Sequence, residues 1–264
     1  MRFKLLLSFF FLFQLVKAQV NTGPRLTGMG GAAVALQDVW SLQANAAGVA
    51  GLKHAALSAA YQSQYTNTDL STQSAVFVLP YKDNAFGLSF QNYGFSAYSE
   101  QRAAFTYART FGNKLNAALS FNYHQVKIPQ YGSTSAFSVD AGLQYWVGEK
   151  VLLGAHVGNP GQAKFVDVGT IIPVHIDFGA SYHFNENLIM AGEVTKTLNA
   201  NTDVKAGLEY GVVNWLSLRG GVSVNPFRQY AGFGVNYNKF RIDAAASSHP
   251  DLGYSPQVSL SYEF

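Results

Sequence analysis

Lys114-Leu115-Asn116-Ala117-Ala118-Leu119-Ser120-Phe121-Asn122-Tyr123-His124-Gln125 sets Leu115, Ala117, Leu119, Phe121 and Tyr123 on one face of an extended chain and Asn116, Ala118, Ser120, Asn122 and His124 on the other. Successive side chains of a strand point to opposite faces, so a period of two without a slip predicts a strand with one apolar and one polar side. The pattern spreads outward from this stretch. In Ser135 to Trp146, Phe137, Val139, Ala141, Leu143 and Tyr145 oppose Ser138, Asp140, Gly142 and Gln144; in His175 to Phe184, Ile176, Phe178, Ala180, Tyr182 and Phe184 oppose Asp177, Gly179, Ser181 and His183. Leu216, Leu218, Val222 and Val224 oppose Ser217, Arg219, Ser223 and Asn225, and Phe240, Ile242 and Ala244 oppose Arg241 and Asp243. The charges keep to the polar face.

Segments of about ten alternating residues, separated by turns, are the pattern of a membrane β-barrel. A closed barrel satisfies every backbone group within hydrocarbon. No run after residue 18 approaches the roughly 18 apolar residues of a membrane helix. A basic side chain on the lipid face at mid-bilayer costs about 2–4 kcal/mol, so the charged face must line the lumen. The alternation predicts strands at 54–65, 71–81, 84–92, 98–110, 114–126, 134–146, 150–158, 173–184, 186–196, 202–211, 214–225, 228–237, 239–248 and 255–264. That is about fourteen; twelve or sixteen remain open, because the first two and the one after Lys150 alternate poorly. The fold class predicted is all-β, a transmembrane antiparallel barrel over 53–264.

Tight turns rich in Asn and Gly, such as Phe111-Gly112-Asn113-Lys114 and Asn238-Lys239, alternate with longer connections at Thr66 to Leu70, Pro129 to Ser133, Asn159 to Pro173 and Ser247 to Tyr254. Barrels carry short turns on the periplasmic side, so both chain ends are expected there. Tyr81, Phe111, Tyr145, Trp146, Phe184, Trp215, Tyr237 and Phe240 would form the inner aromatic girdle, and Tyr61, Tyr93, Tyr98, Tyr123 and Tyr230 the outer one. The final strand, ending in Tyr262 and Phe264, resembles the C-terminal signal read by the barrel-assembly machinery of bacterial outer membranes.

Residues 1–18 carry Arg2 and Lys4, an apolar run from Leu5 to Val16, and Val16-Lys17-Ala18, the pattern of a cleavable secretory leader. The 18 basic residues exceed the 15 acidic ones only because Arg2, Lys4 and Lys17 lie in that leader. A neutral mature chain gives no electrostatic case for nucleic acid. With no cysteine, disulfides and a lipoprotein anchor are excluded. Charged residues are 12% of the chain, against about 25% in soluble domains, and aromatic residues 14%; that balance suits a surface against outer-membrane lipid in a Gram-negative cell.

Residues 19–52 do not alternate. Gly23-Pro24-Arg25-Leu26-Thr27-Gly28-Met29-Gly30-Gly31-Ala32, then Ala35 and Asp38, then Asn45-Ala46-Ala47-Gly48-Val49, resemble the N-terminal hatch of the FadL-like superfamily, which includes the PorV and PorQ-type proteins of Bacteroidetes. Ala46 stands where that pattern has Pro. A partial second likeness runs from Gly169-Thr170-Ile171-Ile172-Pro173 into Gly179-Ala180-Ser181-Tyr182. A barrel of this size encloses a channel or a plug, so the segment is expected inside the lumen, with a short helix over Ala32 to Leu36. There Arg25 and Asp38 would find partners among Asp140, Asp177, Glu193, Asp203, Lys205, Glu209, Arg219, Arg241, Asp243 and Glu263. A flexible periplasmic tail is the alternative.

Gly28-Met29-Gly30-Gly31-Ala32-Ala33 mimics a dinucleotide fingerprint, but no strand precedes it and no acid follows at the needed distance. His124, His156 and His183 lack metal-ligand spacing, and no G-x-S-x-G is present. No catalytic, cofactor or metal site is therefore expected. The resemblance implies a non-enzymatic accessory of type IX secretion, as for PorV-type proteins, or an importer of hydrophobic small molecules through a hatch-gated lateral route, as for FadL. The short outer loops favour the former. An open diffusion porin and a scaffold with a sealed lumen are the other classes. The partners implied are outer-membrane lipid, the assembly machinery, and secretion-system proteins or hydrophobic solutes.

Overall fold

The computed structural model describes residues 21–166, 169 and 171–264; the leader at 1–18 lies outside them, as does part of the second motif, at Thr170. Fourteen strands follow one another: β1 (Ala56–Gln64), β2 (Asn67–Tyr81), β3 (Asn84–Phe95), β4 (Tyr98–Phe111), β5 (Leu115–Ile128), β6 (Gly132–Val147), β7 (Val151–Gly158), β8 (His175–Asn185), β9 (Leu188–Thr197), β10 (Asp203–Val213), β11 (Leu216–Val224), β12 (Phe227–Tyr237), β13 (Phe240–His249) and β14 (Gly253–Glu263). Each pairs antiparallel with its chain neighbours, and β1 pairs with β14 to close the barrel. No helix among the described residues is long and apolar enough to cross a membrane.

The faces divide as the alternation predicts. On β5, Asn116, Ala118, Ser120 and Asn122 are buried while Leu119 and Phe121 are exposed. Exposed Phe86, Leu88, Phe90, Phe105, Leu143, Phe178, Leu218, Phe233, Ile242 and Leu260 continue the apolar outer wall. Soluble monomers rarely expose so large a continuous apolar surface, and the closed barrel leaves no edge to satisfy. The chain is a transmembrane β-barrel.

Two loop expectations are corrected. Thr66 to Leu70 and Ser247 to Tyr254 are largely strand: the β1–β2 ladder runs on to Gln64↔Asn67, and the β13–β14 ladder to His249↔Gly253. Each added rung gives backbone groups partners that a loop would leave to water. Of the connections at that end, only 159–174 is long; it is held by an isolated bridge between Lys164 and Ile171 and by Asn159, whose amide Nδ2 donates to the Ile172 carbonyl at 2.8 Å.

The girdles also need correction. Tyr81, Phe111, Tyr145, Phe184, Trp215, Tyr237 and Phe240 are exposed on the wall near the tight turns. Trp146 instead pairs with buried Leu152 and stacks on His183, with ring centroids 5.1 Å apart. Tyr93, Tyr98 and Tyr230 share the parity of buried Gln91, Ala104 and Gly221's row, so they line the outer mouth from within. A Tyr near a strand end satisfies a girdle pattern on either face; only register tells them apart.

The apolar core lies inside the barrel. Leu26, Met29, Ala32, Ala33, Leu36, Trp40, Leu42, Ala47 and Val49 of the N-terminal segment pack against Ala60, Val76, Val78, Ala85, Ala108, Ala118 and Ala191 of the wall. Small wall residues leave the width that the segment fills.

Candidate functional site

The N-terminal segment has three short helical pieces: α1 (Gly23–Gly28) and two 3-10 turns, Val39–Gln43 and Ala46–Gly51. Pro24 sits in the first turn of α1, where a missing N–H costs nothing. Asp38 caps the second piece, its carboxylate accepting from Trp40 N–H while Ser41 Oγ accepts from Asp38 N–H. Asn45 caps the third.

The helix expected at Ala32 to Leu36 does not form. Gly30 and Gly31 hold φ of 72° and 71° just before it, a left-handed pair that stops a right-handed helix. Most of the backbone groups that a helix would pair internally go to side chains, of the wall and of the segment itself. The N–H groups of Ala33 and Val34 both donate to Glu193 Oε2 at 2.8 Å. The Val34 carbonyl accepts from Gln144 Nε2 and Asn45 Nδ2, the Ala35 carbonyl from Ser181 Oγ, and the Leu36 carbonyl from Gln144 and Ser41. These partners meet the rule that buried backbone groups are paired.

Glycines let this backbone lie directly on the wall. A Cβ on Gly154 would meet the Val34 carbonyl, one on Gly207 the Met29 carbonyl, one on Gly221 the Gly30 nitrogen and one on Gly142 the Asn45 side chain. Gly154 is opposite Gly179, and Gly207 opposite Gly221, so two bare rungs receive the segment.

Ion pairs complete the contact. Arg25 donates from Nε and Nη2 to the two carboxylate oxygens of Glu209, at 2.9 and 2.7 Å, and from Nη1 to Asp38 at 2.9 Å. Arg219, its side chain inaccessible, pairs with Glu209 and Asp243, and Arg241 pairs with Asp243 at 2.9 Å. Three cations thus face three acids. Burial lowers the Arg25 pKa, but Glu209 and then Asp38 raise it more, leaving it above the usual guanidinium range.

Of the other predicted lumen charges, Lys205 pairs with Glu193 at 2.6 Å and Asp140 with Arg102 at 3.0 Å. Asp203 braces the β11–β12 turn, accepting from the N–H groups of Val224 and Asn225. It does not reach the segment. Glu263 is exposed at the rim of a cavity of about 400 Å³, shared with Arg25, Asp38, Lys53 and Lys239, at the end where β14 finishes. In the sequence only their place on the polar face marks Gln144 and Ser181, and nothing marks Arg102. Asp177 pairs with His156 at 2.9 Å, and His175 lies 3.6 Å from it.

The pairing between β6 and β7 is short. The ladder stops at Ala141↔Val157, so Gly132 to Asp140 of β6 extend beyond β7. On the outer wall, directly at that last rung, lies an apolar depression of about 470 Å³. It runs along two cross-strand rows, Tyr107-Leu119-Ala141-Val157-Ile176 and Arg109-Ala117-Leu143-Ala155-Phe178. Outward-facing Ala117, Ala141 and Ala155 make the floor. The volume falls within the range of small-molecule pockets, roughly 300–1,000 Å³.

No protein-family model and no curated protein matches the chain. Solved structures do. The toluene transporter TodX of Pseudomonas putida aligns with a TM-score of 0.72 at 13% identity, over 91% of this chain and 97% of that one. The toluene transporter TbuX of Ralstonia pickettii aligns with 0.68 at 16%, over 92% and 98%. A Pseudomonas aeruginosa FadL homologue aligns with 0.65 at 12%, over 92% and 98%. At such identity the likeness shows the fold, a fourteen-strand FadL-like barrel. It gives no support to the narrower resemblance to PorV and PorQ-type proteins.

Proposed function

We propose that this chain is a non-enzymatic outer-membrane channel for small hydrophobic solutes, with residues 21–52 as the hatch that closes its lumen. The observation that carries the reading is the apolar depression at the end of the β6–β7 ladder. A hydrophobic solute gains about 25 cal/mol for each Å² it removes from water, and the depression offers such a surface beside a seam where β6 runs on past its neighbour β7. Solute held there would enter or leave the barrel sideways, while the polar lumen and the docked hatch oppose free diffusion of water-soluble molecules. That the fold neighbours include toluene transporters supports this substrate class over protein secretion. Tyr262 and Phe264 serve assembly, as a docking signal for the barrel-assembly machinery.

The test is uptake of toluene by cells whose only hydrocarbon channel is this barrel. The wild type should raise the rate well above an empty vector, and Ala141→Trp, which fills the depression from the lipid side, should cut that gain at least tenfold. Uptake at the empty-vector rate would dismiss the importer. Co-purification of secretion components with the barrel would then favour the accessory role.

A further inference from the structure

We propose that His156, His175 and Asp177 form a binding site for one borderline divalent transition-metal ion, with zinc the first candidate, on the lumen face at the outer root of β7 and β8. Their three ligand atoms lie within 4.8 Å of one another. Nδ1 of His156 is 2.9 Å from Asp177 Oδ2, and Nε2 of His175 is 3.6 Å from the same oxygen. With metal–ligand bonds of about 2.0–2.2 Å in tetrahedral geometry, atoms sharing one zinc ion stand about 3.3–3.6 Å apart, so small side-chain rotations complete the set.

Strand register builds the cluster. His156 and Asp177 are direct partners across the β7–β8 ladder, and His175 is two residues before Asp177, on the same face. The position opposite His175 is Gly158, where a Cβ would run into the imidazole ring. A glycine there leaves the ring its space. Side-chain exposures of 7% for His156 and 11% for Asp177 keep competing water away, while 33% for His175 leaves an approach from the lumen.

The donor set names the ion class. Two imidazoles and one carboxylate suit zinc, nickel, copper or cobalt; calcium and magnesium prefer all-oxygen shells. Two cations face the cluster, Arg102 and Lys205, and they are already matched by Asp140 and Glu193. A bound ion would tie β7 to β8 at the base of the 159–174 connection, beside the last β6–β7 rung, so the site bears on the mobility of that wall whether or not the barrel carries solute.

The test uses the full barrel in detergent, purified without a histidine tag. Zinc is titrated against a chromophoric chelator, and copper(II) is followed by electron paramagnetic resonance. One equivalent should bind, with nitrogen hyperfine structure from two imidazoles. His175→Ala and Asp177→Asn should each weaken binding at least tenfold while the barrel keeps its heat-modifiable gel mobility. His175 is partly exposed and tolerates the change; Asp177→Asn keeps the shape and hydrogen bonding. Absence of stoichiometric binding, or binding equally tight in both variants through His54, His124, His183 or His249, would overturn the assignment.

Discussion

Glu209→Ala should free the N-terminal segment from the barrel lumen. Glu209 receives two hydrogen bonds from Arg25 and pairs with Arg219; Arg219 is buried and the Arg25 side chain is 12% exposed. Around it Arg25, Arg219 and Arg241 face Glu209, Asp38 and Asp243, so removing one acid leaves a net positive charge in a site shielded from water. Breaking a buried pair by deleting one partner costs about 3–5 kcal/mol, because the remaining charge is left without compensation. The cheapest relief is for Arg25 to leave. In the folded wild-type barrel trypsin should not cut after Arg25; in Glu209→Ala it should, with the strands intact, and the denaturant midpoint should fall. Continued protection of Arg25 together with unchanged stability would show that the ion pairs do not hold the segment.

Gly154→Val should displace the same segment by shape. The new Cβ would occupy the place of the Val34 carbonyl and the Ala35 nitrogen. These are backbone atoms and cannot rotate aside. Overpacking alone costs about 1–3 kcal/mol. Lifting this stretch also breaks the hydrogen bonds from Gln144, Asn45 and Ser181, each worth about 1 kcal/mol. The strand itself gains, since Val is a better strand former than Gly. A folded barrel with a dislodged segment is therefore expected, read as protease sensitivity near Val34. Gly220→Val is the control: nothing lies within 4 Å of a Cβ there, so it should leave the segment protected. Equal behaviour of the two variants would remove the close-docking argument.

The barrel was legible in the sequence because its determinant is local. Alternation in Leu115 to His124 needs no knowledge of neighbours, and the lipid face follows from the cost of charge. What the sequence concealed depends on register. Tyr93, Tyr98 and Tyr230 carry the right residue type for a girdle, but their parity turns them inward. Ala32 to Leu36 have helix-favouring composition, yet Glu193, Gln144 and Ser181, more than a hundred residues away, claim their backbone groups. Asp203 belongs to a polar face but sits at a turn. The cluster of His156, His175 and Asp177 shows no ligand spacing along the chain because one ligand comes from β7 and two from β8. Arg25, Asp38 and Asn45 stood out as polar residues in an apolar, small-residue stretch, and each has a specific bonding partner.

The central claim is that residues 21–52 close the lumen. Planar-bilayer conductance of the mature chain beside a variant lacking those residues tests it most directly. The account predicts little steady current for the mature chain and a large, stable pore for the deletion, whose barrel is otherwise formed by β1 to β14. A large steady conductance in the mature chain, unchanged when the segment is removed, would contradict it.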